Sequence, residues 1–280
     1  MLSVTLALGA ALIWGVSDFV GGVTSKRLAL VWVLLCTQCV GLAAVLPVAL
    51  ARELPAFDTS TVLFAIGGSL SGLIGIAALY RAIALGVASI AAPISGTGAV
   101  LPVLFGLLRG EPATLGQELG MVSALAGVVL ASRSADEQKH LGRDARLGVI
   151  FAIVAALGFG GFFILLHEAS THDVWWAVSI QRATGVCVMA LLALLHRPRG
   201  APKWVDTPRL VLVGGFDVAA NVLYGLASTL GLVSLSAVLV SLYPMVTVVL
   251  ARFVLNERMS GIQKAGVAMA LAGAALVAGA

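Results

Sequence analysis

Long apolar runs separated by short polar connectors cover almost the whole chain. Ten such runs occur, at residues 2–24, 29–50, 60–80, 86–108, 114–132, 147–166, 174–195, 208–230, 232–255 and 262–280. Each approaches the roughly 20 residues that an α-helix needs to cross the hydrocarbon core of a bilayer. The pattern predicts an all-α integral membrane protein with about ten transmembrane helices.

The second half of the chain repeats the first. Residues 111–130 align with residues 257–276 at an offset of 146, with 8 identities in 20 positions. Each copy holds five spans, an odd number, so the second copy must enter the membrane from the opposite side and form an inverted repeat. The expected units are a first five-helix repeat at 1–132, a cytoplasmic linker at 133–146 and a second five-helix repeat at 147–280.

Composition and charge support this membrane assignment. Hydrophobic residues make up 60% of the 280 positions and charged residues only 11%, against about a quarter in soluble domains. Of the 17 Lys and Arg residues, 14 fall in connectors on one side, which the positive-inside rule makes cytoplasmic. We expect a multi-pass protein of the plasma or inner membrane with both termini outside. The basic residues form no stripe with interleaved aromatics, so no nucleic-acid partner is expected.

Three charged residues lie deep inside predicted spans, where each costs about 2.5–3.5 kcal/mol. At 1.5 Å per residue, Asp217 lies about 14 Å and Asp18 about 9 Å from the cytoplasmic ends of their helices, and Arg182 about 12 Å from its outer end. We expect these residues to bind substrate or a coupling ion. A structural Arg182–Asp217 ion pair is the alternative for two of them. Asp18 is equally compatible with a wet inner vestibule or pairing with Lys26 or Arg27.

Further polar and aromatic candidates lie at similar depth. Asn221, Tyr224 and Ser228 follow Asp217 at helical spacing and give the eighth span one polar face. This face is interpreted as cavity lining, with a hydrogen-bonded seam between helices as the alternative. The remaining candidate substrate contacts, each also compatible with simple packing, are Trp14, Tyr80 and Tyr243.

Prolines and acidic junction residues are candidate gating and structural elements. Pro93, Pro102 and Pro244 fall inside the fourth and ninth spans, where proline removes a backbone hydrogen bond and bends a helix. Glu111 and Glu257 lie at the junctions of spans four and five and of spans nine and ten. We expect these glutamates to orient the connectors by accepting hydrogen bonds from nearby amides.

Short motifs occur in both halves of the chain. They are Trp14-Gly15, Gly86-Val-Ala-Ser89, Gly110-Glu111, Ser241-Leu-Tyr-Pro244 and Asn256-Glu257-Arg258. This set resembles the EamA-type branch of the drug/metabolite transporter superfamily across essentially the whole chain. The resemblance implies ten helices in two inverted repeats, a central cavity and alternating access, without naming a substrate. One departure is Asp18, where many relatives place a neutral residue.

Together these features predict a secondary active transporter for a small metabolite such as an amino acid, an organic cation or a drug-like compound. If Asp18 and Asp217 are not permanently paired, a proton that binds either would displace a cationic or zwitterionic substrate. Inward proton flow would then drive efflux. An uptake permease for a sugar or another neutral metabolite is the alternative within this class.

A membrane-embedded enzyme and a channel are the alternatives from other classes. The four histidines fall in connectors or at helix ends, with no metal-spaced pair inside the bilayer, so no metal, cofactor or catalytic residue is expected. A channel usually needs an oligomer or a ring of polar residues around a pore. The duplication instead supplies a carrier within one chain, as a monomer or a homodimer.

Overall fold

The computed structural model describes residues 1–25, 27–52, 59–84, 94–131, 143–254 and 261–279. Its regular secondary structure in these ranges is helical, with two 3₁₀ turns at Thr97–Ala99 and Trp204–Asp206. The α-helices are α1 (Leu2–Ser25), α2 (Leu30–Leu50), α3 (Thr59–Ala84), α4 (Val100–Leu108), α5 (Leu115–Ala131), α6 (Arg143–Ser170), α7 (Val174–His196), α8 (Thr207–Leu230), α9 (Val233–Val240), α10 (Tyr243–Val254) and α11 (Gly261–Gly279).

Six of the described helices, α1, α2, α3, α6, α7 and α8, are long and apolar enough to cross a membrane. Shorter apolar helices cover Ile94–Leu108, Leu115–Leu130, Val233–Thr247 and Gly261–Val277. Each of these segments overlaps one of the ten predicted spans, and the all-α membrane fold is confirmed. The bundle exposes apolar side chains along several helices, as expected of surfaces that contact lipid; on α3 and α6 they include Leu63, Leu70, Ile74, Ile150, Ile153 and Leu157.

The ninth predicted span is divided into two helices. Ser241 and Leu242 form a turn between α9 and α10, and Pro244 is the second residue of α10. A proline lacks the amide that would continue α9 and disfavours helical geometry in the residue before it, so the break falls here. Pro102 lies in the first turn of α4, directly after a 3₁₀ turn, while Pro93 lies outside the described residues.

Helices α5 and α11 pack through reciprocal contacts between equivalent residues. A Cβ atom added at Gly127 would meet Ala270, and one added at Gly273 would meet Ala124. As the residue number rises along α5, that of its partner on α11 falls, so the helices are antiparallel. The residues pair up at the 146-residue offset of the sequence repeat, which makes the contact isologous about a local two-fold axis. The inverted relation of the two repeats is confirmed.

The same reciprocity relates α2 and α7. Gly41 faces Arg182, and Gly185 faces Gln38, so Gln38 and Arg182 occupy equivalent positions in the two halves. Two extensive contacts between helices follow the same symmetry: α3 packs on α6, and α1 packs on α8. The two contacts are equivalent because α1 and α3 of the first half correspond to α6 and α8 of the second.

The two ends of the bundle differ in charge and in the contacts that they make. At one end α1 and α7 finish and α2 and α8 begin, and Trp32 Nε1 donates to Pro198 O at 2.9 Å between the two connectors. Arg27, Arg197 and Arg209 lie here, so we call it the basic end. At the opposite end α2, α6 and α8 finish and α7 and α9 begin.

Candidate functional site

A cavity of about 430 Å³ lies between the two halves, in the size range of small-molecule sites. Its described lining runs from Arg182 and Asp217 near the middle of the bundle to Asp18 and Leu79, which lie nearer the basic ends of their helices. Its described lining comes from both repeats and comprises Trp14, Asp18, Gln38, Ser69, Gly72, Leu73, Ile76, Leu79, Ser95, Gly96, Phe159, Phe162, Phe163, Gln181, Arg182, Asp217, Asn221, Tyr243, Pro244 and Thr247.

A hydrogen-bonded ion pair lies at the centre of this wall. Arg182 Nη1 donates to Asp217 Oδ2 at 2.5 Å and to Gln38 Oε1 at 3.0 Å. Trp14 Nε1 donates to the other carboxylate oxygen of Asp217 at 2.8 Å, and Asn221 Nδ2 donates to the Asp217 carbonyl at 2.6 Å. The Arg182 side chain is 4% exposed and that of Asp217 is 28% exposed. Both oxygens of the Asp217 carboxylate are therefore engaged within the protein.

Glycines make room for these long side chains between α2 and α7. A Cβ atom at Gly41 would lie 3.2 Å from Arg182 Cδ, and one at Gly185 would lie 2.7 Å from Gln38 Cδ. Small residues at such positions let membrane helices approach closely. A buried guanidinium is costly unless it is paired and hydrogen-bonded, and here Asp217 and Gln38 both accept from it.

Asp18 differs from Asp217 in having no such partners within the described ranges. It is solvent-exposed on the cavity wall, one helical turn after Trp14. No hydrogen bond or ion pair joins it to another residue in the described ranges, and Lys26 lies outside them. The neighbouring Ser17 is buried and donates to Val213 O at 3.0 Å, which fixes this turn of α1 against α8. Because Arg182 balances Asp217, Asp18 leaves the described cavity lining with one net negative charge.

Aromatic rings form the apolar part of the site around Trp14. The Trp14 ring lies edge-on to Phe162, Phe163 and Tyr243, with centroids 5.9, 6.0 and 6.3 Å away. Phe159, one turn earlier on α6, also lines the cavity. The wall can therefore cover an apolar or aromatic body next to the free carboxylate.

The structure places most of the sequence candidates in this cavity. Gln38, Gln181 and the three α6 phenylalanines were not among those candidates, although an amide inside an apolar span is a signal that could have singled out the two glutamines. The side chain of Tyr80 and the residues Pro93 and Glu257 lie outside the described parts of the chain. The predicted residues on the wall are Trp14, Asp18, Arg182, Asp217, Asn221, Tyr243 and Pro244.

The polar face predicted on α8 is split between two roles. Asp217 and Asn221 line the cavity, whereas Tyr224 is fully buried and donates its hydroxyl to Phe163 O at 2.9 Å. Ser228 donates to Gly225 O within its own helix. Tyr224 and Ser228 are thus helix-packing residues rather than lining residues, because α6 covers this part of α8.

Glu111 joins the two halves at the opposite end. Gly110, with φ of 76°, ends α4 in a Schellman arrangement in which Glu111 N donates to Gly106 O at 3.0 Å. The Glu111 carboxylate then accepts from Val233 N at 2.5 Å, Ser234 N at 3.1 Å and Ser234 Oγ at 2.5 Å. A carboxylate from the first half therefore caps the N terminus of α9 in the second.

Two ion pairs accompany this cap, and each also joins the first half to the second. Arg109 pairs with Glu168 at 3.2 Å, and Arg52 pairs with Asp173 at 3.1 Å. Asp173 additionally caps α7 by accepting from Trp176 N at 3.0 Å. The described contacts thus hold the two halves together on the side of the cavity away from the basic end.

Comparison with known families identifies this architecture. A sequence model of the EamA-like transporter family matches residues 1–133 and again residues 146–279. The chain belongs to the EamA-like transporter family. It is a multi-pass membrane transporter of the drug/metabolite type, whose partners are a small-molecule substrate and the lipid bilayer.

Solved structures support the same fold. A crystal structure of a protein with 20% sequence identity matches with a TM-score of 0.81 over 98% of this chain and 95% of the other. At this identity the likeness extends to the fold alone. No curated protein matched the chain in the corresponding comparison.

Proposed function

We propose that this transporter exports a small molecule with a positive charge and an apolar or aromatic body in exchange for protons, with Asp18 binding the two in turn. The observation that carries the proposal is the contrast between two carboxylates in one cavity. Asp217 is engaged by Arg182 and Trp14, whereas Asp18 is exposed without a partner in the described ranges. Of the two carboxylates in the described cavity lining, Asp18 is therefore the one that can exchange one positive partner for another.

The surroundings of Asp18 favour an organic cation or a zwitterion over an anion. The described lining carries one net negative charge, and five of its twenty residues are aromatic. A cation within about 6 Å of an aromatic face is attracted to the ring by about 0.5–2 kcal/mol. Trp14, one turn from Asp18, and Tyr243 line the same cavity and would supply such rings.

The inverted repeat supports the alternating access that such an exchange requires. The cavity reaches toward the basic end while Glu111 and the two ion pairs hold the opposite end together, and rocking one repeat against the other would reverse this access. A carboxylate that has bound a proton no longer attracts a cation. With the basic end in the cytoplasm, a proton entering from outside would release the solute there. In this scheme residues 1–132 and 147–280 are the two moving units, joined by 133–146.

Transport by purified protein in liposomes tests the proposal. Wild-type protein should accumulate the fluorescent cation ethidium against its gradient when a pH gradient is imposed. In D18N the rate of this pH-driven accumulation should be lower by at least about tenfold. D18E keeps a carboxylate at this position and should retain part of the pH-driven transport. E118Q, which changes an exposed acid in the first turn of α5, is the matched control and should behave as wild type. Undiminished gradient-driven flux in D18N would refute the role of Asp18.

A further inference from the structure

Gln181 carries a buried carboxamide with no hydrogen-bond partner among the described residues. The residue is 4% exposed and lies on the cavity wall, directly before Arg182 on α7. Neither its Oε1 nor its Nε2 forms a hydrogen bond within the described part of the chain. Buried polar groups are nearly always paired, so an amide with both ends unpaired calls for an explanation.

The neighbouring residues do not supply that partner. Arg182 directs Nη1 to Gln38 and Asp217 on α2 and α8. On the α3 side Gly68 faces this amide, since a Cβ added there would lie 3.8 Å from Gln181 Nε2, and a glycine has no side chain to offer. Leaving a buried donor or acceptor unsatisfied costs about 1–3 kcal/mol per group. In this conformation the unpaired groups are the two ends of the Gln181 amide, at a position on the cavity wall.

A second unpaired atom lies on the same wall. Asn221 is 1% exposed, and its Nδ2 is used by Asp217 while its Oδ1 has no partner among the described residues. Gln181 and Asn221 together present one NH2 group and two acceptor oxygens without partners among the described residues. A ligand that satisfies them must carry at least one acceptor and one donor, and a carboxamide offers the two side by side.

We infer that Gln181 is a specificity-determining residue that binds a carboxamide-like group of the substrate, a carbonyl and an N–H held side by side. Two amides placed edge to edge form a pair of N–H···O=C bonds, which uses both ends of the Gln181 side chain. This inference rests on the proposed function, in which Asp18 holds the positive charge of the same molecule. It narrows the substrate class from organic cations in general to cations that also carry an amide.

Binding of three matched compounds to the purified protein tests the inference. All three contain a phenyl ring and an ammonium group: phenylalaninamide adds a carboxamide, phenylalanine adds a carboxylate that only accepts, and phenethylamine adds neither. Thermal-shift titration of wild-type protein should rank their affinities in that order, with phenylalaninamide about tenfold tighter than phenethylamine. That ratio corresponds to about 1.4 kcal/mol. Equal affinities in wild type would overturn the inference.

Variants separate this role from a structural one. Q181L, or the unbranched Q181M if Q181L fails to fold, should bind phenylalaninamide and phenethylamine equally and unfold at the same or a higher temperature than wild type, because the lost amide had no partner. Q117L is the control, since Gln117 Oε1 accepts from Thr114 N at 3.0 Å; it should unfold at a lower temperature and keep the ranking. A lower unfolding temperature for both Gln181 variants, with the ranking intact, would mean that Gln181 is structural.

The test also distinguishes this inference from the proposed function. D18N should weaken the binding of all three compounds alike. The ratio of the affinities for phenylalaninamide and phenethylamine should stay unchanged. If D18N leaves all affinities unaltered but Q181L still removes the preference for the amide, the proposed role of Asp18 fails and the inference about Gln181 stands.

Discussion

Helices α2 and α7 occupy equivalent positions in the two halves but carry different chemistry. Gly41 and Gly185 play the same part in both, each making room for a long side chain of the other helix. At the equivalent positions themselves, α2 carries the neutral Gln38 and α7 carries Arg182. Helices α3 and α8 differ in the same way, because α3 has no charged residue before Arg81 whereas α8 carries Asp217.

The difference separates two tasks of a carrier. Reciprocal small-residue contacts are repeated in both halves, and they give the bundle two similar repeats that can rock against each other. The Arg182–Asp217 pair occurs in the second half alone within the described chain, so the cavity has one charged centre rather than two. In the proposed mechanism this pair and Asp18 form the single place where a substrate and a proton compete.

Removing one member of the Arg182–Asp217 ion pair should have the largest effect. D217N leaves Arg182, which is 4% exposed, without its counter-ion. Removing one partner of a buried pair costs about 3–5 kcal/mol, and the partial exposure of Asp217 places the expected loss near the lower end. Transport should fall by more than about tenfold, and the unfolding temperature in detergent should drop.

A double variant makes the two halves alike and serves as the control. R182Q/D217N places a glutamine at the position equivalent to Gln38 and removes both charges together. Replacing both members of a buried pair is far less costly than removing one, so its unfolding temperature should recover most of the loss while transport remains low. If D217N alone unfolds at the wild-type temperature, the pair does not stabilise the bundle.

The reciprocal small-residue packing of the two halves can be tested at the contact between α5 and α11. G127A places a methyl group against the backbone of Ala270, and forcing such a contact apart typically costs about 1–3 kcal/mol. Its unfolding temperature should fall below that of wild type. G215A is the matched control, because no atom lies within 4 Å of the added Cβ in α8. Equal stability of the two variants would contradict the close reciprocal packing.

The cap at the opposite end should have a smaller effect, on access rather than on folding. E111Q replaces the carboxylate that receives two backbone N–H groups of α9 by an amide, and weakening a helix cap costs about 0.5–2 kcal/mol. A cysteine introduced at Ser170, which is 3% exposed near this end of α6, should react about fivefold faster with a membrane-impermeant reagent in E111Q. E118Q in the same cysteine background should leave the rate unchanged; an equal rate in E111Q would show that the cap does not limit opening.

The exposed ion pair at this end should have the smallest effect. Arg52 is 50% exposed in its pair with Asp173, and surface pairs contribute about 0–1 kcal/mol. R52Q should therefore shift the unfolding temperature by far less than D217N does. A loss in R52Q as large as that in D217N would remove the distinction between the central pair and the outer ones.

The sequence allowed prediction of the fold and of the charged residues in the site for a common physical reason. Apolar runs long enough to cross a bilayer have few other structural uses, and a charge inside one is costly enough to stand out. Asp18, Arg182 and Asp217 were therefore identified together. Whether Arg182 and Asp217 were paired could not be predicted, because pairing depends on how closely α7 and α8 pack.

The neutral part of the site was harder to predict. An amide such as Gln181 and rings such as Phe162 occur both in packed interfaces and in cavities, so residue type does not separate the two. Helical periodicity placed Tyr224 on the same face as Asp217, but it does not indicate which neighbouring helix covers each turn of that face. The partner of Glu111 lies in the other half of the chain, a contact that local spacing does not define.

The central claim is that a proton and a cationic substrate compete for Asp18, and proton release on binding tests it most directly. Phenylalaninamide would be added to detergent-solubilised protein in weakly buffered solution at several pH values while a pH indicator records released protons. The account predicts a pH range in which wild type and D217N release protons when they bind the compound, whereas D18N releases none. Binding without release in wild type at every pH, or undiminished release from D18N, would contradict it.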